Sequence, residues 1–244
     1  MTAAPAHAGP WTLPEGSSQI IIKHEQRRSN DGFDEAGQRV ALPGPLRDSA
    51  VGVWAEYGLT DRVTLQLKGD WQDNQDAAIR YEGRGPIELG ATFQIWRNAR
   101  SAVSVYGGYA DAGDARNPRF DRPGAGTSDW EVRTSIGHAF DANGRSGRNR
   151  SFADIQFARR MRDGMPDETR GDFTFGTHYG QDWLVLGQAF GGMSDGDRVR
   201  WLTVETSAVR HFGRWSLQGG WRQSVAGRQT PVANGAILAL WRRF

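Results

Sequence analysis

Apolar and polar side chains alternate along most of the chain, in segments of about ten residues separated by stretches rich in Gly, Pro and charge. In the segment 63–71, Val63, Leu65 and Leu67 occupy odd positions, and polar residues occupy the even ones. The same alternation recurs in the segments 87–95, 202–208 and 215–221. A period of two is that of a β-strand with one apolar face, and helical periodicity is almost absent. The pattern therefore predicts strands throughout the chain.

Counting these segments predicts about twelve strands, an even number that is typical of barrels in bacterial outer membranes. The expected starts are Gln19, Ser49, Arg62, Pro86, Ser101, Thr127, Ser151, Arg170, Asp182, Val199, Arg214 and Val232. Between Leu184 and Phe190 both faces are apolar, so the pattern assigns no parity there. The predicted fold class is all-β, a transmembrane up-and-down antiparallel β-barrel of about twelve strands.

The predicted connections alternate in length, as expected when short turns lie on one side of a membrane and longer loops on the other. The expected long connections are Arg28 to Asp48, Asp73 to Gly85, Ala110 to Gly126, Arg160 to Thr169 and Ala226 to Pro231. The expected tight turns are Gly58 to Asp61, Arg97 to Arg100, Gly180-Gln181 and Phe212-Gly213. The segment Asp141 to Asn149 breaks this alternation, because it is longer than a tight turn.

Aromatic residues concentrate at the predicted strand ends, which favours two interfacial belts. The group near the tight turns comprises Tyr57, Trp96, Phe140, Tyr179, Trp183, Phe212, Trp215, Trp241 and Phe244. The group near the longer connections comprises Trp71, Tyr109, Trp130, Trp201 and Trp221.

Composition narrows the classes of protein without naming a substrate. The chain has 244 residues, no Cys and a mean hydropathy of -0.62. The missing Cys excludes disulfides, thiolate metal sites and a cysteine nucleophile. No apolar run reaches the ~18 residues of a membrane-spanning helix. The net charge is +2 with acids and bases interspersed, which does not support nucleic-acid binding.

The last predicted strand resembles the terminal strand of bacterial outer-membrane barrels. Leu238, Leu240 and Phe244 share one parity, and Arg242 interrupts it. The resemblance implies that the barrel assembly machinery recognises Phe244, Leu240 and Leu238 as a membrane-insertion signal.

Near the other terminus, Ala6-His7-Ala8 resembles a signal-peptidase site. We expect residues 1–8 to be a signal-peptide remnant, residues 9–18 a periplasmic N-terminal segment, and residues 19–244 the barrel; coincidence in an Ala-rich tail is the alternative.

Short motifs strengthen this resemblance. The stretch from Glu56 to Leu65, the stretch from Ile87 to Ala91 and the opening from Trp11 to Gly16 are similar to Gram-negative outer-membrane barrels of the transporter and porin type, including phenol meta-pathway-associated barrels. The resemblance implies an integral outer-membrane protein with periplasmic termini, in contact with outer-membrane lipids and lipopolysaccharide. It does not specify a solute.

The parity opposite to the apolar one carries charged residues of both signs, which we expect to face the barrel lumen. Candidate channel-lining residues are Glu56, Lys68, Glu88, Glu131, Arg133 and Glu205. The same parity includes Lys23, Glu25, Arg27, Asp70, Asp154, Arg160, Asp172, His178 and Arg222. Two readings remain open: a water-filled pore that screens small solutes, or ion pairs that brace a filled barrel.

Passive passage of small solutes is the expected function, with no cofactor, no metal and no catalytic residue. One alternative is a docking barrel whose loops bind an envelope component or a surface polymer. The less favoured alternative is a lipid hydrolase, which needs a Ser, a His and an orienting group. Of the five histidines, only His24 lies toward the expected outer half, and no serine motif accompanies it. The Asp pairs at 111–114 and 195–197 lack the spacing of a calcium loop.

Overall fold

The alternating segments form an antiparallel β-sheet in a computed structural model that describes residues 9–76, 80–112, 126–141, 150–196 and 198–244. Its long strands are β1 (Ser18–Phe33), β2 (Arg39–Thr60), β3 (Val63–Gln75), β4 (Arg80–Arg97), β5 (Ser101–Asp111), β6 (Ser128–Asp141), β7 (Arg150–Arg162), β8 (Glu168–Tyr179), β9 (Trp183–Ser194), β10 (Arg200–Phe212), β11 (Trp215–Arg228) and β12 (Asn234–Arg243). A two-residue segment, Thr230–Pro231, precedes β12 and pairs with β1.

The sheet closes on itself. Each strand pairs with its sequence neighbours, and β1 pairs with both β2 and β12. The closing ladder runs from Gln19 opposite Arg243 to Arg28 opposite Asn234. The predicted fold class is thereby confirmed as a twelve-stranded up-and-down barrel.

The two faces of the wall follow the predicted parity. On the outside, Leu89 is 63% exposed and Leu67 is 48% exposed. On the inside, Thr64 is 2% exposed and Gln94 is 3% exposed. The structure also assigns the parity of β9 that the sequence left open, because Leu184 is fully buried inside the barrel. An apolar outer surface around a polar interior is the arrangement expected of a barrel in lipid.

The connections differ in length between the two ends of the barrel. At the end that carries Ser18 and Phe244, β2–β3 and β10–β11 are joined by only two residues each. We call this the turn end and the opposite end the loop end. Loop-end connections such as 34–38 and 163–167 contain five residues.

Two predicted long loops are wrong. The segments 28–48 and 73–85 consist largely of strand, because β2 begins at Arg39 instead of Ser49, and β4 begins at Arg80 instead of Pro86. The first extension contains consecutive apolar residues and two prolines, and the second is mostly charged residues and glycine, so both lack the alternation that the prediction used. With 22 residues, β2 is far longer than the ~10 residues that a membrane crossing requires. Between Ala41 and Leu46 it departs from its register with β1, where Pro43 and Pro45 cannot donate ladder hydrogen bonds.

Most of the predicted aromatic residues project outward near the strand ends. Trp130 at the loop end is 60% exposed, and Tyr179 at the turn end is 52% exposed. Two assignments are wrong. Trp241 is buried inside the barrel, where its Nε1 donates to Gln218, and Trp201 lines an interior cavity beside Thr203. Both residues lie on the inward parity of their strands.

Several predicted features lie wholly or partly outside the described residues. They are the signal-peptide remnant 1–8 with its Ala6-His7-Ala8 site, the middle of the Ala110 to Gly126 loop, most of the Asp141 to Asn149 connection, and parts of the two candidate calcium loops. Within the described ranges, no helix has the length and hydropathy needed to cross a membrane.

An arginine substitution should cost much more stability on the outer face of the wall than on the inner face. Leu89→Arg places a charge on the apolar outer surface and should cost about 2–4 kcal/mol of unfolding free energy in lipid. Gln66→Arg, on the inner face beside Glu56, should cost little. Denaturant titration of both variants refolded into vesicles checks this expectation, and equal or reversed sensitivities would contradict the assigned faces.

Candidate functional site in the barrel interior

Glu88 is the centre of an ion-pair network on the inner wall formed by β3 to β8. Its Oε1 lies 2.8 Å from Lys68 Nζ and accepts a 2.6 Å hydrogen bond from the Tyr106 hydroxyl. Its Oε2 lies 2.7 Å from Arg160 Nη2, although 72 residues separate the two in sequence. A carboxylate that is 8% exposed is thus compensated by two cations and a hydroxyl.

Glu131 extends the same network around the wall. Arg133 Nη2 lies 2.8 Å from Glu131 Oε1, and Arg160 Nε lies 3.4 Å from Glu131 Oε2. Arg133 also reaches Asp172 at 3.0 Å. Because Arg160 contacts both Glu88 and Glu131, the charges of β3, β4, β6, β7 and β8 form one connected set.

A second network lies on β1, β10 and β11. Arg222 bridges Glu205 at 2.5 Å and Glu25 at 3.0 Å. Glu25 also pairs with Lys23 at 3.4 Å and with Arg27 at 3.0 Å. The guanidinium of Arg222 on β11 therefore links β1 to β10 through side chains inside the barrel.

The six candidate lining residues all project into the interior. Glu88, Lys68, Glu131, Arg133 and Glu205 take part in the two networks. Glu56 has neutral hydrogen-bond donors instead, since its carboxylate accepts 3.3 Å hydrogen bonds from the side-chain amides of Gln19 and Gln66.

Part of this interior is wide enough to admit water. The side chains of Lys23, Arg27 and Lys68 point inward, yet they are 33%, 32% and 32% exposed. Lys68 Nζ also lies 5.2 Å from the centre of the Trp54 ring and 5.1 Å from that of Tyr106. A filled and dry barrel would bury these ammonium and guanidinium groups, so the interior contains solvent-accessible space beside its ion pairs.

Residues 9–18 were expected to form a periplasmic segment before the barrel. In the structure β1 already begins at Ser18, and residues 9–17, here called segment 9–17, lie in the barrel mouth at the turn end. Gln94 Nε2 donates a 2.9 Å hydrogen bond to the carbonyl of Pro10, and the Leu13 amide donates a 2.8 Å bond to Thr64 Oγ1. Thr12 Oγ1 donates a 2.7 Å bond to the carbonyl of Asp61. Residues of the inner wall therefore hold the segment inside.

Trp11 anchors this segment on the opposite wall. Its ring meets Phe152 edge-on with 6.1 Å between the ring centres, and it packs against an interior apolar cluster that includes Leu184 and Trp241. Gly137 makes room for the ring, because a Cβ there would lie 2.5 Å from Trp11. The segment thus spans from β3 and β4 to β7 and narrows the lumen.

Sequence reasoning could not find this arrangement. The contacts of Trp11 and Pro10 join residues more than 80 positions apart, and no local pattern records them. Local hints are limited to glycines such as Gly58, where a Cβ would lie 2.1 Å from the carbonyl oxygen of Pro14. A glycine at that strand end permits the segment to approach the wall.

The described residues contain three serine–histidine contacts that the sequence motifs did not suggest. His24 lies 3.1 Å from Ser49 Oγ, His138 lies 2.8 Å from Ser101 Oγ, and His211 lies 2.8 Å from Ser216 Oγ.

Hydrolysis by one of these serine–histidine pairs would also require a group that orients the histidine. In the described ranges, no carboxylate hydrogen bonds to any of those three imidazoles, so the pairs lack the group that orients a catalytic base. The described residues also contain no cluster of three His, Asp or Glu side chains arranged to hold a metal ion.

The proposed insertion-signal residues lie on the outer surface of β12 and just after it. Leu238, Leu240 and Phe244 are 57%, 42% and 57% exposed, and the Phe244 amide donates a 2.9 Å hydrogen bond to the Ser18 carbonyl. The terminal residue is therefore tied to the first strand.

Comparison with known proteins finds similar folds at low sequence identity. No protein-family model matches the chain, and no curated protein matches it. An outer-membrane channel of Pseudomonas putida F1 is similar over 100% of both chains, with 13% identity and a TM-score of 0.71.

Two further solved structures extend this comparison. The KdgM porin is similar over 93% of this chain and 99% of its own, with 7% identity and a TM-score of 0.56. The translocator domain of the autotransporter NalP from Neisseria meningitidis is similar over 99% of this chain and 91% of its own, with 10% identity and a TM-score of 0.52. These likenesses confirm the predicted resemblance at the level of fold, which is that of porin-type outer-membrane barrels.

The seating of the N-terminal segment can be tested by hydrogen exchange. Trp11→Ala removes the anchoring ring and should weaken seating by about 3 kcal/mol, so exchange at the Leu13 amide should accelerate about a hundredfold. Thr92→Ala is the control, since Thr92 faces the same interior and accepts a hydrogen bond only from Gln66. Unchanged exchange in Trp11→Ala would contradict the anchoring role of Trp11.

Proposed function

We propose that this protein is an outer-membrane channel through which small hydrophilic or amphipathic solutes pass passively. The observation that carries the proposal is the solvent-accessible charge inside a closed barrel, above all Lys68 beside Glu88 and Trp54. Accessible cations favour a hydrated lumen, whereas a purely structural barrel could be filled with packed side chains. The sequence contains no nucleotide-binding motif, so the solute gradient drives the flux.

The six lining candidates give the proposed channel a modest ion selectivity. Glu56, Glu88, Glu131 and Glu205 oppose Lys68 and Arg133, and most of these charges are already paired with one another. Counter-ions screen the remainder over a Debye length of ~8 Å in physiological salt. Solute size then matters more than solute charge, because segment 9–17 narrows one mouth of the barrel.

The proposal places the protein in the outer membrane with both termini in the periplasm. The turn end would face the periplasm and the loop end the exterior, in contact with lipopolysaccharide. The exposed apolar side chains on the outer surface would meet lipid, and backbone closure would leave no polar edge in the hydrocarbon. The barrel assembly machinery would insert the chain by recognising Phe244, Leu240 and Leu238.

Charge removal tests the channel directly. Glu88→Gln combined with Glu131→Gln removes the carboxylates nearest to Lys68, Arg133 and Arg160, although Arg133 keeps Asp172. The reversal potential in planar bilayers should shift toward anion selectivity. Because cations with little exposure then lose partners, unfolding free energy should also fall by about 3 kcal/mol.

The matched control is Glu35→Gln combined with Glu82→Gln, which removes the same charge from exposed positions at the loop end. It should change neither selectivity nor stability. A wild-type barrel that never conducts would refute the channel and favour the docking role. Destabilisation without any change in selectivity would favour bracing over conduction.

The insertion proposal has its own test. Phe244→Ser should lower the yield of barrel in the outer membrane of cells more than it perturbs the purified, refolded protein. Phe212→Ser is the control, since Phe212 is a similarly exposed aromatic at the turn end of β10. Heat-modifiable gel migration of membrane fractions measures the yield, and equal yields for the two variants would refute a signal role for Phe244.

A further inference from the structure

Two arginines on the outer surface of the turn end lie between aromatic rings. The guanidinium carbon of Arg210 is 5.3 Å from the centre of the Trp183 ring and 5.1 Å from that of Phe212. The guanidinium carbon of Arg242 is 4.5 Å from the Trp215 ring centre. It is also 5.2 Å from the Phe244 ring centre. Each cation is thus held in place by two rings.

These contacts form one continuous row across four adjacent strands. Trp183 on β9 is opposite Arg210 on β10, and Trp215 on β11 is opposite both Phe212 and Arg242. We call this the arginine–aromatic row, defined by Trp183, Arg210, Phe212, Trp215, Arg242 and Phe244. Its four rings are between 43% and 57% exposed.

The row points away from the barrel interior. Arg210 follows Val209, which is fully buried inside, and Arg242 follows Trp241, which is 8% exposed. Arg242 shares its parity with Leu238 and Leu240 on the outer surface. Both guanidinium groups therefore lie where the apolar wall ends, at the level that interfacial aromatic residues occupy in a membrane.

The outer arginines differ from the inner ones in their partners. Arg133, Arg160 and Arg222 each pair with carboxylates inside the barrel. For Arg210 and Arg242, no carboxylate of the described residues lies within ion-pair distance; their recorded side-chain contacts are with aromatic rings. A cation at the edge of an apolar surface needs an anion from its surroundings.

We propose that the arginine–aromatic row binds the phosphate headgroup of an anionic phospholipid. A guanidinium donates two parallel hydrogen bonds to phosphate oxygens, and the flanking rings hold it in a fixed orientation. Acyl chains would lie along the exposed side chains of Leu217, Leu238 and Leu240. An anionic lipid is favoured over a zwitterionic one, because two cations without protein partners favour a headgroup with net negative charge. This inference rests on the proposed placement in a membrane but is independent of conduction.

Lipid binding to the purified barrel in non-ionic detergent tests the proposal. Native mass spectrometry would compare phosphatidylglycerol with phosphatidylcholine of the same acyl chains. The wild-type protein should prefer phosphatidylglycerol, and R210Q combined with R242Q should bind it about thirtyfold more weakly, since each basic residue contributes about fivefold. Phosphatidylcholine binding should stay unchanged.

The control replaces two exposed arginines at the same end, R62Q combined with R97Q, neither of which makes a ring contact within the described chain. This variant should keep the wild-type preference. Equal losses in both double variants would reduce the effect to general electrostatics and overturn the proposal. So would a wild-type protein without preference. If R210Q/R242Q refolds poorly, each single variant should show about a fivefold loss.

Conductance separates this proposal from the proposed function. R210Q/R242Q should keep the wild-type single-channel conductance, because neither residue faces the lumen. Loss of lipid preference with intact conductance in this variant would support lipid binding by the arginine–aromatic row. A wild-type barrel that does not conduct but still prefers phosphatidylglycerol would refute the channel and leave the lipid-binding proposal intact.

Discussion

The ladder between the first and the last strand is the constraint on which the rest of this structure depends. From Gln19 opposite Arg243 to Arg28 opposite Asn234, it gives hydrogen-bond partners to edges that would otherwise be open. In hydrocarbon each unpaired backbone group costs several kcal/mol, so a sheet of this kind is stable there only when closed. Closure also divides every strand into two sets of alternate residues. One set points outward, and the other faces a confined interior.

That confined interior explains the composition of the inner wall. Charges on the inward parity cannot all reach bulk water, so they must be compensated within the wall. Glu88 is compensated by Lys68 and Arg160, and Glu205 by Arg222. Such pairs seldom add net stability, although breaking them is costly. Their use beside accessible water fits a lumen better than a core. The apolar cluster around Leu184 and Trp241 is different, since it gathers at the turn end where Trp11 completes it.

The sequence predicted the parts of the wall that have one apolar face and missed the parts without a regular alternation. Alternation from Val63 to Trp71 is the pattern of a strand with one apolar face, so the parity of Leu65 and Thr64 could be assigned correctly. At the loop end, β2 begins at Arg39 in a stretch of consecutive apolar residues and prolines, so no alternation marks its start. The pairing of Arg160 with Glu88 was also beyond prediction, because it joins side chains of β4 and β7, 72 positions apart in sequence, inside the closed barrel. The inward placement of both residues was predictable; their contact was not.

The N-terminal segment shows why the wall alone does not define the route through this barrel. The wall is held by continuous ladders, whereas Pro10 to Leu13 is held by a few side-chain hydrogen bonds and the ring of Trp11. Elements with few buried contacts open at lower free energy than the ladders around them. The space beside Trp11 is lined by Glu56, Lys68 and Arg133, so the segment also borders the charges proposed to line the channel. In the proposed channel, a solute that enters from the loop end would meet these charges first and the segment last. Passage at the turn end would then depend on how firmly Trp11 is seated, and selectivity on the charges of the inner wall.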